Sequence, residues 1–109
     1  MSKLRLIFVD GNEVSRALFG YVLEDSAGIE VVGEAADHHS AMVLIREFAP
    51  DVIIIGYDLP PREESKLRLT LRMEFPKTKI IELSDLDAAV SNRLGGKASR
   101  QFQYSRMIH

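Results

Sequence analysis

Four short runs of mainly apolar residues are spaced along the chain, at residues 4–9, 29–32, 52–55 and 79–83. Each run has the length of a strand and is bounded by turn-forming or charged residues. The third run, Val52–Ile55, contains no polar residue, as expected for a strand buried on both faces of a parallel sheet. We therefore predict four strands.

Between these runs, apolar residues recur at intervals of three or four, which places them on one face of a helix. Asn12 is suited to cap the first helix and Asp37 the second, while a third is expected over residues 63–74. A short fourth helix is expected to end at Gly95-Gly96. The expected apolar faces are Val14, Ala17, Leu18, Tyr21 and Val22 in the first helix, and Ala41, Leu44, Ile45 and Phe48 in the second.

The regular alternation of strands and helices predicts an α/β fold, with a parallel sheet covered by helices on both faces. The handedness of β-α-β connections favours a doubly wound sheet. The 109 residues are expected to form a single domain, 1–109, without repeats or linkers. Residues 97–109 are polar and weakly alternating, and either a last strand or a loose tail fits them.

Composition excludes several classes of function. The net charge of −2 provides no basic surface for nucleic acid or for an anionic membrane. The absence of cysteine excludes disulfides and thiolate chemistry. No apolar run approaches the length of a membrane span, and the N-terminus shows no signal-peptide pattern. We expect a cytoplasmic protein that binds neither nucleic acid nor membrane.

Three stretches carry a family resemblance: IEVVGEA at residues 29–35, APDVIII at 49–55 and EFPKTKI at 74–80. On the basis of these stretches, the chain from Leu4 to Phe75 resembles the receiver domain of response regulators. The resemblance is strongest to receivers that precede helix-turn-helix output domains in transcriptional regulators. The resemblance implies a flavodoxin-like sheet in the order 2-1-3-4-5. A receiver ends in a fifth helix, and no amphipathic segment for that helix is visible here, so we expect a truncated or atypical C-terminus.

The resemblance also implies where the chemistry of this family would lie. In receivers, an acidic pair after the first strand and an aspartate after the third hold Mg²⁺, and that aspartate accepts a phosphoryl group. A hydroxyl after the fourth strand and a lysine after the fifth contact the phosphoryl group. Here the acidic pair is Asp10-Gly11, the acceptor position is Gly56, and Ser84 stands at the hydroxyl position.

No lysine follows residue 97, and Arg106 stands at about the distance expected for it. With a single well-placed carboxylate, Mg²⁺ binding is expected to be weak or absent, because this ion needs several oxygen ligands to replace its water. A shift of the acceptor role to Asp58 is the less favoured alternative. We expect no catalytic residue, no metal site and no cofactor, and a vestigial pocket formed by Asp10, Gly11, Gly56, Asp58 and Ser84.

The favoured function is a phosphorylation-independent module for protein–protein interaction or dimerisation, through the region after Leu83, without enzymatic activity. One alternative is the N-terminal regulatory domain of a DNA-binding transcriptional regulator, and another is a small-molecule binder at the vacated pocket. Glu82 lies inside the fourth predicted strand, where a carboxylate needs a partner. Lys97 or Arg100 is the expected partner, and exposure of that face is the alternative.

Overall fold

The structure, a computed structural model, describes residues 3–85 of the chain. Strands and helices alternate throughout this part, as the sequence predicts. The elements are β1 (Leu4–Val9), α1 (Glu13–Leu23), β2 (Ile29–Ala35), α2 (His38–Phe48), β3 (Val52–Ile55), α3 (Pro61–Glu74) and β4 (Lys79–Glu82). None of these helices has the length and apolar character needed to cross a bilayer.

The four strands form one parallel sheet in the order β2-β1-β3-β4. This arrangement confirms the predicted doubly wound sheet as far as the described residues extend. The order reverses between β1 and β3, because the chain passes from β1 to β2 on one side and then to β3 on the other. The predicted fifth strand and most of the predicted fourth helix lie outside the described residues.

Three element boundaries differ from the prediction. β2 continues past Val32 to Ala35, because the last three residues of β2 still pair with β1. Helix α3 begins at Pro61; proline suits the first helical position, where its missing N–H has no intrahelical partner. β4 ends at Glu82, and residues 83–85 already form a helical turn.

Alternate residues of the central strands face opposite sides of the sheet and build two cores. Helices α2 and α3 cover one face, where Ile45, Leu67 and Leu71 are fully buried. Helix α1 covers the other face, where the rings of Phe8 and Phe19 stack with their centroids 4.0 Å apart. Within residues 3–85, the sheet is therefore covered more completely on the α2–α3 side.

Helix α1 contains no fully buried residue. Phe19 and Leu23 pack against the sheet, whereas the face that periodicity identifies stays exposed. Its exposed side chains are Val14 (66%), Leu18 (59%), Tyr21 (75%) and Val22 (70%). The spacing of these residues on one face is as predicted, but that face does not point into the core on the α1 side of the sheet.

Glu82 forms an ion pair, as expected, and the partner among the described residues is Arg68. Lys97 and Arg100, the partners expected from the sequence, lie outside the described residues. Arg68 Nη2 lies 3.0 Å from Glu82 Oε2, and Arg68 Nε lies 3.2 Å from Glu64 Oε1. One guanidinium thus joins α3 to β4 and hydrogen-bonds to two carboxylates, and its charge offsets one of their two negative charges.

Helix α2 begins with a reciprocal cap. Asp37 Oδ1 accepts from the Ser40 backbone N–H at 2.8 Å, and the Ser40 hydroxyl lies 3.4 Å from the Asp37 backbone N–H. The bond from the Ser40 backbone, and then that from its hydroxyl, lower the pKa of the Asp37 carboxyl. The ionised form is therefore favoured by folding.

We predict that Asp37→Ala lowers the free energy of unfolding by about 1 kcal/mol at pH 7, the usual loss for a helix N-cap. Because the folded-state pKa lies below the unfolded one, the stabilisation by the carboxylate is complete above the unfolded pKa and is lost as pH falls through the folded pKa. Urea unfolding at pH 7 and in acid should show that the difference in free energy of unfolding between wild type and Asp37→Ala becomes smaller as the pH falls. Glu47→Ala, on an exposed part of the same helix, is the control. A difference that stays constant with pH would contradict the assignment.

Candidate functional site at the carboxyl edge of the sheet

Asp10 follows β1 at the edge of the sheet where parallel strands end, and ligands in open α/β sheets bind at this edge. Its residue exposure is 1%, and among the described residues it is the one buried charged side chain. Asp10 Oδ1 accepts from the Asn12 backbone N–H at 2.7 Å, and the Asp10 carbonyl accepts from Arg16 Nη1, also at 2.7 Å. Two bonds thus fix the side chain and the backbone of Asp10 at the start of α1.

Gly56 follows β3 directly beside Asp10. The Gly56 N–H donates to the Val9 carbonyl at 2.9 Å, so the two strand ends stay paired up to this point. A Cβ atom built on Gly56 would collide with Asp10 Oδ2 and would lie 2.7 Å from Asp10 Cγ. The carboxylate of Asp10 therefore fills the space in which any side chain at position 56 would begin.

Gly11 closes the same edge from the other side. A Cβ atom there would lie 2.6 Å from the Asp58 backbone carbonyl oxygen, which also accepts the Gly11 N–H. The loop after β1 and the loop after β3 are in direct backbone contact as a result. The absence of a side chain at Gly11 is what permits this contact.

The structure brings together four of the five residues of the predicted pocket. Asp10, Gly11, Gly56 and Asp58 form one contiguous group through the contacts above, whereas Ser84 is exposed in the helical turn after β4. The Asp58 residue contributes its backbone carbonyl, and its side chain is exposed. Within residues 3–85, no group of three or more metal-ligating side chains is present.

Two residues of this edge were not singled out from the sequence. Arg16 binds the Asp10 carbonyl from one turn into α1, a contact that no motif signals. Tyr57 stands between Gly56 and Asp58 and is 55% exposed, and its hydroxyl lies 3.5 Å from the Leu83 carbonyl. An exposed aromatic residue directly after a buried strand was the available signal for Tyr57.

We predict that Gly56→Asp lowers the free energy of unfolding at pH 7 by more than about 1–3 kcal/mol, the usual penalty for an overpacked site, because repulsion between two carboxylates adds to the collision. Gly56→Ala, which keeps the collision without the charge, should lose less. Addition of Asp10→Ala should restore part of the stability of Gly56→Asp. Chemical denaturation of the three variants measures their free energies of unfolding and so separates the effect of the collision from that of the charge repulsion. Wild-type stability in Gly56→Asp would contradict the packing described above.

The chain is similar to several proteins of two-component signalling. It is 38% identical over 87 residues to a protein-glutamate methylesterase/protein-glutamine glutaminase of Anaeromyxobacter dehalogenans, a match that covers 80% of this chain and 24% of that protein. It is 31% identical over 85 residues to the oxygen regulatory protein NreC of Staphylococcus aureus, covering 77% of this chain and 39% of NreC. The chain thus spans well under half the length of either relative.

The fold is also that of a solved receiver. The signal receiver domain of the response regulator NarL from Mycobacterium tuberculosis superposes with a TM-score of 0.63 and 26% identity, over 75% of this chain and 68% of that one. No family model matches the chain. From the strand order, the position of Asp10 and these relatives, we conclude that the chain has the flavodoxin-like fold of a response-regulator receiver domain and is related in sequence to proteins of two-component signalling.

Proposed function

We propose that this receiver acts in signalling as a protein–protein interaction module that does not depend on aspartyl phosphorylation. The observation that supports the proposal is the packing of Asp10 against Gly56, which leaves no acceptor carboxylate at the end of β3 and fills the space for one. The Gly11–Asp58 contact supports it further, because a second carboxylate at position 11 would meet the Asp58 backbone carbonyl.

The proposal has four further parts. The domain has no enzymatic activity of its own, and the esterase activity named for one relative belongs to a protein of which this chain matches 24%. Mg²⁺ binds weakly or not at all, since Asp10 alone offers too few oxygen ligands. The domain works in the cytoplasm, and its partner is another protein or a second copy of the chain, bound through the region after Leu83.

We predict that acetyl phosphate with Mg²⁺ leaves the intact mass of the protein unchanged, because position 56 carries no nucleophile. A receiver with an aspartate at the acceptor position, treated in parallel, is the positive control. Peptide mapping would locate any modification. A phosphoryl group found on Asp58 or Asp10 would contradict the proposal and would favour a displaced acceptor.

Self-association is tested by size-exclusion chromatography with light scattering over a range of concentrations. We predict a mass above that of the monomer, which rises with concentration and does not change on treatment with acetyl phosphate. A monomer at every concentration would contradict the dimerisation part of the proposal and leave a different protein as the partner.

A second candidate function is the regulatory domain of a DNA-binding transcriptional regulator. The match to NreC, which covers 39% of that protein, favours it, because a receiver in such a protein is joined to further sequence. The coding sequence beyond codon 109 tests this candidate directly. A helix-turn-helix domain in frame would support it, and a stop codon would contradict it.

A further inference from the structure

A cavity of about 280 Å³ opens beside Asp10, on the face of the sheet that α1 covers. Most of its lining is apolar and comes from β1, α1 and the segments that follow β3 and β4. The lining residues are Phe8, Asp10, Ser15, Leu18, Phe19, Val22, Tyr57 and Leu83. A cavity of about 150 Å³ already accommodates benzene, so this one has room for a single substituted ring.

The cavity lies at the point where the strand order reverses, between β1 and β3, and ligands of open α/β sheets bind in the crevice at such a point. The space at Gly11 and Gly56 is not available, because the Asp58 carbonyl and the Asp10 carboxylate occupy it. The open volume is therefore on the α1 side of Asp10, next to the vacated acceptor position rather than within it.

The polar groups in the lining define the chemistry of a ligand. Asp10 supplies a buried carboxylate, and Ser15 and Tyr57 supply hydroxyls. Arg16 Nη1 binds the Asp10 backbone carbonyl rather than its carboxylate. A carboxylate has about four acceptor positions, and the Asn12 N–H occupies one of them on Oδ1. A cation that donates hydrogen bonds is the natural complement to such a group.

We propose that this cavity, called the α1 cavity below, binds a small aromatic amine, with the ring between Leu18, Val22 and Tyr57 and the ammonium group on the Asp10 carboxylate. Apolar walls with few, convergent polar groups are typical of small-molecule sites. The site is independent of the interaction role proposed above, since neither requires the other.

The experiment uses three probes of equal shape and different charge: benzylamine, benzyl alcohol and benzoate. Titration of the ¹⁵N-labelled full chain should give saturable amide shifts at Ser15, Leu18, Phe19 and Tyr57 with benzylamine. Benzyl alcohol should bind about tenfold more weakly, and benzoate more weakly still, because hydrogen bonds between ionised groups are the stronger ones.

Two variants test the assigned contacts. Asp10→Asn keeps the oxygen that accepts from the Asn12 N–H and removes the charge. It should weaken the binding of benzylamine about tenfold and leave the affinity for benzyl alcohol unchanged. Leu18→Trp fills the α1 cavity from an exposed position and should abolish binding of both. Val43→Trp on α2, at a residue that is 52% exposed, is the matched control and should bind benzylamine as the wild type does.

Several results would overturn the proposal. Absence of saturable binding by benzylamine would show that the α1 cavity does not take up ligands of this class. Equal affinity for all three probes would exclude the role of Asp10, and binding that survives Leu18→Trp would place the site elsewhere. Mg²⁺ that displaces benzylamine from the same amides would identify a metal site instead.

Discussion

The carboxylate of Asp10 and the backbone of Gly56 share one small volume at the end of the two central strands, and the rest of this edge is built around that constraint. The carboxylate is held in place by the Asn12 N–H and is shielded from water. A buried charge is tolerated only with hydrogen-bond partners. The start of α1, which supplies those partners, is thereby fixed relative to the end of β3.

The same constraint relates the two proposals to each other. In receivers, as the family resemblance implies, a cluster of carboxylates at this edge recruits a metal ion and a phosphoryl group. Here two positions are glycine, and the backbones of the two loops are in contact. Fewer like charges also means less repulsion in the folded state. What remains is one anion beside an apolar cavity, an arrangement better suited to an organic cation or a protein surface than to Mg²⁺.

The sequence predicts those parts of the fold that depend on residues close to one another in the chain. The apolar runs of β1 and β3 and the Asp37 cap are readable because each depends on neighbouring residues. Pairing of Glu82 was predicted, but its contact with Arg68 on α3 was not, because no local pattern indicates which basic residue of the neighbouring helix lies beside the strand. Periodicity grouped Val14, Leu18 and Val22 on one face of α1, but it carries no information on what that face meets. The site was foreseen as a set of residues, whereas its closed backbone contact depends on distances that only the structure provides.

The close packing around Gly11 and Gly56 also restricts which substitutions this edge of the sheet accepts. Each single step toward an acidic cluster meets an occupied volume: an aspartate at position 56 meets Asp10, and one at position 11 meets the Asp58 carbonyl. The step at position 11 must separate the two loops and the step at position 56 must displace the Asp10 carboxylate, in either case before any metal is present to compensate. Each single step toward an acidic cluster is therefore expected to lower the stability of the fold, whereas substitutions that keep the loops in contact are the ones this edge accommodates.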